Sequence, residues 1–413
     1  MENKMVVICV DDEETVLQSL ELELQNKLGD CILELAQSGE EALEICEEYR
    51  DKGYDIPLVI CDYIMPNLKG DEVLKKIYES YPSTYKIMLT GQADLSGVVR
   101  AINEANIYRY IAKPWEREDL WLTVTAAIEH YCQNQEIEKT YVAMEKFVPR
   151  ELMTLLGVDK LAHMKFGDCT KKEVTVLFSD IRSFTTISED MSPQKTFDFL
   201  NSYFELMAPI IRQYNGFINK FIGDGIMAIF PDKPEDAVDA AIMMLQVLQE
   251  HSHELLKHSI EIGIGIHTGR VILGTLGDRD RMEATIIGDT VNVASRMEEM
   301  TKYLGTPLLI SANSYELIDE RENYLVRYLG PLEVRGKMMH LPVLEVYNAD
   351  PPEIRERKQA LKNDFQKALL CFQEGNRAEA RKMFEEYQAA NPDDGAIAFY
   401  LSKLSESSSK THL

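Results

Sequence analysis

The sequence predicts a multidomain chain: an α/β domain with a doubly wound parallel sheet, then an α+β domain, then a short all-α tail. Three observations carry this reading. Short apolar runs alternate with helical segments from residue 5 to about 125, strand-like runs with turn signals between them fill 172 to 348, and apolar residues recur at helical spacing among charges thereafter.

In the first part, "VVICV", "LVICD", "KIMLT" and "YRYIA" read as strands, with helical periodicity over Thr15 to Leu28 and Glu40 to Tyr49. That rhythm places helices on both faces of a parallel sheet. Leu120 to Val148 holds no proline or glycine, and Ile137, Tyr141, Met144 and Val148 follow spacings of four, three and four. This segment reads as a connecting helix whose seam suits pairing in a dimer. The seam is short and meets His130 and Asn134 upstream, so it equally suits an ordinary amphipathic helix.

In the second part, "EVTVLFSD", "GFINKF", "IMAIF", "IEIGIGIH" and "RVILGTLG" read as strands, and Gln194 to Tyr214 and Pro234 to Leu256 as helices. After "VLEVYNADPP", Phe365, Ala368, Leu369 and Phe372 share one helix face, and Ala380, Phe384 and Tyr387 share the next, ended by "NPDD". This hairpin resembles a single tetratricopeptide repeat. One copy cannot bury its own face, so it is expected to pack on the body of the protein or on a protein partner. The resulting domains are 1–124, a linker at 125–165, a second domain at 166–350, the helical hairpin at 351–405, and a disordered tail at 406–413 ("ESSSKTHL").

Composition narrows the function. Of 413 residues 69 are acidic and 44 basic, giving a net charge of −25, which repels a phosphate backbone or an anionic membrane face. No run approaches the roughly 20 apolar residues of a membrane span, and the N-terminus lacks the pattern of a signal peptide. Seven cysteines without a C-x-x-C pair read as buried thiols of a reducing cytoplasm.

Two groups of residues carry chemistry. Asp11 and Asp12 follow one strand, Asp62 another, Thr90 ends a third and Lys113 follows a fourth. In a parallel sheet all five emerge at the carboxyl edge, where ligands bind. Three carboxylates held together repel one another unless they hold a Mg²⁺ ion, which also neutralises an incoming phosphoryl group. "CVDDEE", "CDYIMPNLKG", "LTGQAD" and "YIAKPW" resemble the signature segments of a response-regulator receiver domain over residues 5 to 122. The resemblance implies a five-stranded fold with Asp62 as phosphoacceptor for a cognate histidine kinase. It further implies Asp11, Asp12 and the Ile64 carbonyl around one Mg²⁺, Thr90 and Lys113 on the phosphoryl oxygens, and Tyr110 as an aromatic switch.

The second group centres on "KFIGDGIMAIF". Gly-Asp-Gly signals a hairpin, so Asp224 sits at a turn, and Lys220 lies on the preceding strand on the same face as Ile218 and Ile222. A lysine on an apolar face wants an acceptor. "VTVLFSDIRSFT" adds Asp180 at the end of a buried run; two such carboxylates from adjacent strands can bridge two metal ions. The backbone amides of Ile181 to Phe184, entering a helix, are placed to cradle phosphates. In "MEATIIGDTVNVASRMEEM", Asn292 and Arg296 are four apart and share a helix face.

Together these segments resemble the catalytic domain of a class III nucleotidyl cyclase over roughly residues 150 to 348. The resemblance implies a homodimer with active sites at the interface and two Mg²⁺ or Mn²⁺ ions held by Asp180, the Ile181 carbonyl and Asp224. From the other protomer, Lys220 and Thr285 would read the purine, Asn292 would orient the ribose and Arg296 would stabilise transition-state charge. In "LEVRGK", Arg335 stands where the family often has a lysine that binds terminal phosphates, with Lys337 as the alternative. Lys220 can donate to adenine N1 while the Thr285 oxygen accepts from the exocyclic amine; guanine presents the opposite pattern. The expected activity is therefore an adenylate cyclase acting on ATP under control of Asp62, with guanylate cyclase and a silent scaffold as alternatives. Thr285 resembles the threonine branch of the family, some members of which respond to bicarbonate.

Overall fold

The computed structural model describes residues 4–25, 27–91, 105–256, 260–278, 280–333 and 340–409. They fall into two compact units, Met1–Met144 and Glu145–Leu413.

In the first unit the elements run β1 (Met5–Val10), α1 (Glu14–Leu24), β2 (Ile32–Ala36), α2 (Gly39–Asp51), β3 (Asp55–Asp62), α3 (Gly70–Ser80), β4 (Tyr85–Thr90), β5 (Arg109–Ala112) and α4 (Arg117–Glu145). The strands pair in parallel in the order β2-β1-β3-β4-β5. Alternation along the strands builds two cores. Val6, Ile8, Val10, Val59 and Cys61 pack on α2 and α3, while Val7, Cys9, Leu58 and Ile60 pack on α1 and α4. This is the doubly wound five-stranded sheet that the sequence predicts.

Helix α4 differs from its expected span. It starts at Arg117, buries Leu120, Val124, Ala127 and Tyr131 against the sheet, and ends at Glu145. Val148 therefore lies beyond the helix, just before Pro149, which disfavours helical backbone in the residue preceding it. The expected boundary at 124/125 falls inside one continuous helix. His130 and Asn134, which interrupt the apolar seam, meet two tyrosines at the parallel sheet's edge: His130 Nδ1 is 3.3 Å from the Tyr108 hydroxyl, and the Asn134 amide donates to the Tyr85 hydroxyl at 3.0 Å. Ile137 and Met144, farther along, are exposed.

The second unit runs α5 (Arg150–Leu156), β6 (Cys169–Ile181), α6 (Phe184–Glu189), α7 (Pro193–Gln213), β7 (Phe217–Ile222), β8 (Gly225–Phe230), α8 (Pro234–Leu256), β9 (Ile262–Gly277), β10 (Met282–Ile287), α9 (Asp289–Leu304), β11 (Leu308–Ser311), α10 (Ala312–Glu316), β12 (Val326–Glu333) and β13 (His340–Val346). The strand order is β12-β13-β11-β9-β6-β8-β7, with β10 paired to β9. Helices α7 and α8 close one face over Leu177, Ile226, Ile264 and Ile266.

Three further helices follow: α11 (Pro352–Gln373), α12 (Arg377–Ala390) and α13 (Gly395–Ser409). Their apolar faces share a core with Met297, Leu304, Leu309, Leu341 and Val343 of the α+β domain. The helices thus pack on the body of the protein. The sequence expects two helices and a disordered tail from 406. Instead, Ala396, Ile397, Tyr400 and Leu404 form a third buried stripe, and the helix they seat runs on to Ser409.

Inside this joint lies a network of buried charges. Arg327 on β12 donates to Glu345 of β13 at 2.9 and 2.6 Å and to Asp394, just before α13, at 2.5 and 3.0 Å. Lys358 of α11 donates to Glu345 at 2.5 Å and to Asp350 at 2.6 Å. Two cations answer three carboxylates, and the Arg327 guanidinium also lies 4.5 Å from the Phe365 ring centroid.

The cysteines depart from expectation. Cys9, Cys46 and Cys61 are buried thiols, but Cys31 and Cys371 are part-exposed, and Cys132 and Cys169 are exposed because they sit on the outer half of α4 and on the sheet end of β6. Among the described residues no helix is long and apolar enough to cross a membrane.

Removing one partner from a buried ion network leaves uncompensated charge and costs about 3–5 kcal/mol. Arg327→Met is expected to lower the thermal unfolding midpoint of the second unit sharply, whereas Lys367→Met, on an exposed pair, should leave it within a degree or two.

Candidate active site and phosphoacceptor site

At the carboxyl edge of the first sheet, the end of β1 presents Asp11 and the end of β3 presents Asp62. Lys113, following β5, places its ammonium 2.6 Å from Asp11 Oδ2 and 2.5 Å from Asp62 Oδ1. Asp11 is fully buried and also accepts from the Glu13 amide at 3.0 Å. Asp62 accepts from the Ile64 amide at 2.9 Å. Burial pushes the Asp62 carboxyl above its ordinary value, against the opposing pull of Lys113. Lys113 is held above its ordinary value because its hydrogen bonds to both carboxylates outweigh its own desolvation.

Asp12 is exposed beside this cluster. Thr90 ends β4 with its hydroxyl on the Gly91 carbonyl at 3.1 Å rather than on Asp62. Tyr110 on β5 is 49% exposed. The structure thus joins Asp11, Asp62 and Lys113 directly, with Ile64 bonded to Asp62 and Thr90 at the end of the adjacent strand. Among the described residues no group of three or more carboxylate, imidazole or thiol side chains is placed to hold a metal ion.

In the second unit, β6 ends on Asp180 and Ile181, and the turn between β7 and β8 carries Asp224. Gly223 in that turn has φ +64°, a conformation that glycine adopts without strain. Asp224 accepts from the Ile181 amide at 3.2 Å, and the Asp180 and Asp224 side chains share a hydrogen bond. Burial first, and then that bond and the Asp224 charge, push Asp180 up to about 7. Two half-buried carboxylates this close are a donor pair that suits a divalent cation, which would relieve their repulsion. Glu298 on α9 is a further acid that burial and the Asp180 charge push up to about 7.

The expected cradle of backbone amides is only partly open. The Ile181 amide is committed to Asp224 and the Arg182 amide to the Glu261 carbonyl at 2.8 Å, leaving Ser183 and Phe184 at the start of α6.

Lys220 also departs from expectation. A β-bulge between Ile218 and Lys220 sets two residues of β7 opposite Met227, so the alternation slips and Lys220 lies on the opposite face from Ile218. Its ammonium is 2.5 Å from Glu283 Oε1 and 3.4 Å from Thr285 Oγ1. Glu283 and Thr285 stand two apart on β10 and share a face. The sequence reading missed Glu283, although its i, i+2 relation to Thr285 on a strand was the signal. Lys220 holds the Glu283 carboxyl below its ordinary value by this hydrogen bond. The pair is 35% and 54% exposed, so it is worth about 0–1 kcal/mol and yields readily to a ligand.

Asn292 and Arg296 lie one turn apart on α9. Neither makes a hydrogen bond or ion pair among the described residues. Arg335 and Lys337 lie outside the described residues.

Residues 168–346 match the family model described as the adenylate and guanylate cyclase catalytic domain, and residues 7–125 match that of the response regulator receiver domain. An adenylate cyclase of Anabaena cylindrica is 37% identical over 220 residues, 51% of this chain and 44% of that protein. The terminal-differentiation-specific adenylate cyclase of Dictyostelium discoideum is 34% identical over 267 residues, 63% of this chain and 13% of that protein. The crystal structure of the adenylyl cyclase CyaB from P. aeruginosa is 33% identical, with 43% of this chain and 95% of that chain covered and a TM-score of 0.38. The chain spans less than half the length of these two curated relatives.

The native state holds a proton on Asp180 between 3.8 and about 7 that the unfolded chain releases. It therefore binds more protons than the unfolded state in that window, and stability falls as pH rises through it. In chelator, the thermal midpoint should drop between pH 5 and pH 7.5, Asp180→Asn should flatten that slope, and Mn²⁺ should raise the wild-type midpoint more at pH 8 than at pH 6. Residues 7–125 thus match the response regulator receiver domain family and residues 168–346 the adenylate and guanylate cyclase catalytic domain family, one in each unit.

Proposed function

We propose that the protein is an adenylate cyclase that converts ATP to 3′,5′-cyclic AMP and pyrophosphate as a homodimer, under control of phosphorylation at Asp62. The observation that carries the reaction is the placement of Asp180 at the end of β6 beside Asp224 in the β7–β8 turn, two half-buried carboxylates where a cation would serve. Bound divalent ions would lower the pKa of the ribose 3′-hydroxyl and offset charge on the phosphates. Asp180, the Ile181 carbonyl and Asp224 hold that site, while the Ser183 and Phe184 amides face the phosphates. Arg296 stabilises the charge that develops at phosphorus, and Asn292 orients the ribose.

The ATP preference rests on the Lys220–Thr285 pair. The ammonium donates to N1 of adenine and the hydroxyl accepts from its amine, once the weak Glu283 contact gives way. Exposed apolar side chains on the strands that bear these residues, Phe221, Ile222 and Ile287, and Leu276 on the adjoining β9, support burial against a second copy, which would complete each site. Arg335 and Lys337 are the proposed contacts to the terminal phosphates.

On the receiver side, a phosphoryl group on Asp62 would draw Lys113 and, after reorientation of its hydroxyl, Thr90. Tyr110, exposed on β5, would turn inward when Thr90 moves. Asp11, Asp12 and the Ile64 carbonyl would hold one Mg²⁺, and a histidine kinase would supply the phosphoryl group.

Purified protein given ATP or GTP with Mn²⁺ should produce cyclic AMP in excess over cyclic GMP. Asp180→Ala should abolish the product, and Arg296→Ala should reduce kcat by about 10²–10³-fold. Lys220→Glu should lower kcat/KM for ATP and raise the GTP share. A small-molecule phosphodonor should change the wild-type rate and leave Asp62→Asn unchanged. Absence of cyclic nucleotide under every condition would overturn the reading in favour of a phosphorylation-dependent scaffold.

A further inference from the structure

Strand β6 does not stop at its two metal-site residues. Arg182 follows them, and its side chain is the physical link between that strand end and helix α9. Asp180 pairs with Gly263 across the β6–β9 ladder, and the Arg182 amide donates to the Glu261 carbonyl one step on. The guanidinium then crosses over Gly263. A Cβ built there would come within 2.7 Å of Arg182 Nη2 and 2.2 Å of Thr301 Oγ1, so only glycine leaves the passage open. Beyond it, Nη2 donates to the Thr301 hydroxyl in the last turn of α9 and, at 3.4 Å, to the Thr306 carbonyl just after the helix. Thr301 passes the chain on by donating to the Glu298 carbonyl. The guanidinium thus sits half-buried among Asp180, Glu261 and Glu298, with Nη2 bonded to the last turn of α9 and to the chain just after it.

We propose that Arg182 is a positioning residue that fixes helix α9, and with it Asn292 and Arg296, against the metal-binding end of β6. The inference rests on the cyclase reading above. In the dimer of that reading, a protomer's β6 end serves one active site while its α9 serves the other. Arg182 therefore couples the two sites of the dimer through a single protomer. Both bonds leave the one nitrogen Nη2, at the far end of the arginine side chain, for Thr301 on α9 and Thr306 just after it; a lysine ammonium stops one bond short of that position.

The test uses the full-length protein with Arg182→Lys, Thr301→Val and the double variant. Thr301→Val cuts the link on the helix side and leaves the charge beside Asp180 intact. A displacement of α9 by about 1 Å would cost on the order of 10²-fold in rate. Both single variants are therefore expected to lose 10- to 100-fold in kcat, on the order of that penalty, with KM for ATP changed less than about threefold. The double variant should be no worse than Arg182→Lys, because both remove one link. In metal-free protein, amide hydrogen exchange in the last turn of α9 should accelerate about tenfold in each variant while α7 keeps its wild-type rate.

Wild-type kcat in either single variant, multiplied losses in the double, or unchanged exchange in α9 would each overturn the proposal. The exchange measurement decides it even if the wild type makes no cyclic nucleotide, an outcome that would sink the cyclase reading instead.

Discussion

Holding like-charged carboxylates together at the end of a buried strand is the constraint on which both units are built. The hydrophobic strands deliver the acids; something must then offset their repulsion in a poorly solvated place. In the receiver domain the chain supplies its own cation: Lys113 reaches both Asp11 and Asp62. In the second unit the neighbouring cation is Arg182, which bonds to Thr301 instead, and burial and Asp224 push the Asp180 carboxyl above its ordinary value. In the first arrangement the cation is a member of the cluster; in the second it is turned away toward α9 and the carboxylates face each other.

That difference also explains which residues could be read from the sequence. Strand ends are legible because an apolar run that stops on an acid, a threonine or a lysine announces both its direction and its edge. Asp11, Asp62, Thr90, Lys113 and Asp180 all fell out this way, and Gly-Asp-Gly announced the turn at Asp224. What failed was anything that depends on register or on a distant partner. The bulge at Ile218/Lys220 moved Lys220 to the other face, because alternation assumes an unbroken ladder. Glu283 looked like an ordinary surface acid until β10 laid it against Lys220. Thr90 was placed at the right edge, yet its hydroxyl rests on its neighbour's carbonyl. A rotamer choice of that kind leaves no trace in composition.

The helical segment after residue 351 shows the same limit at a larger scale. Its amphipathic faces were plain, and so was the need for a surface to cover them, but whether they met the body or another molecule was open. The answer lies in charges that the sequence scatters over 68 positions. Arg327 and Lys358 look like solvated residues in one dimension, yet they are the buried cations that tie strands β12 and β13 to α11 and α13. The third helix was missed because its stripe follows "NPDD", which reads as an ending.

That buried network has a consequence for synthesis. Arg327 leaves the ribosome 67 residues before Asp394 does. At about 5–20 residues per second, the sheet edge waits roughly 3–13 seconds for half of its counter-charge. During that interval β12 and β13 have the hydrogen bonds of a sheet without the neutralised interior that seats it. The catalytic strands β6 to β9 are made earlier and need none of these charges, so a nascent chain can assemble its metal-binding edge first and seal the far side of the domain last.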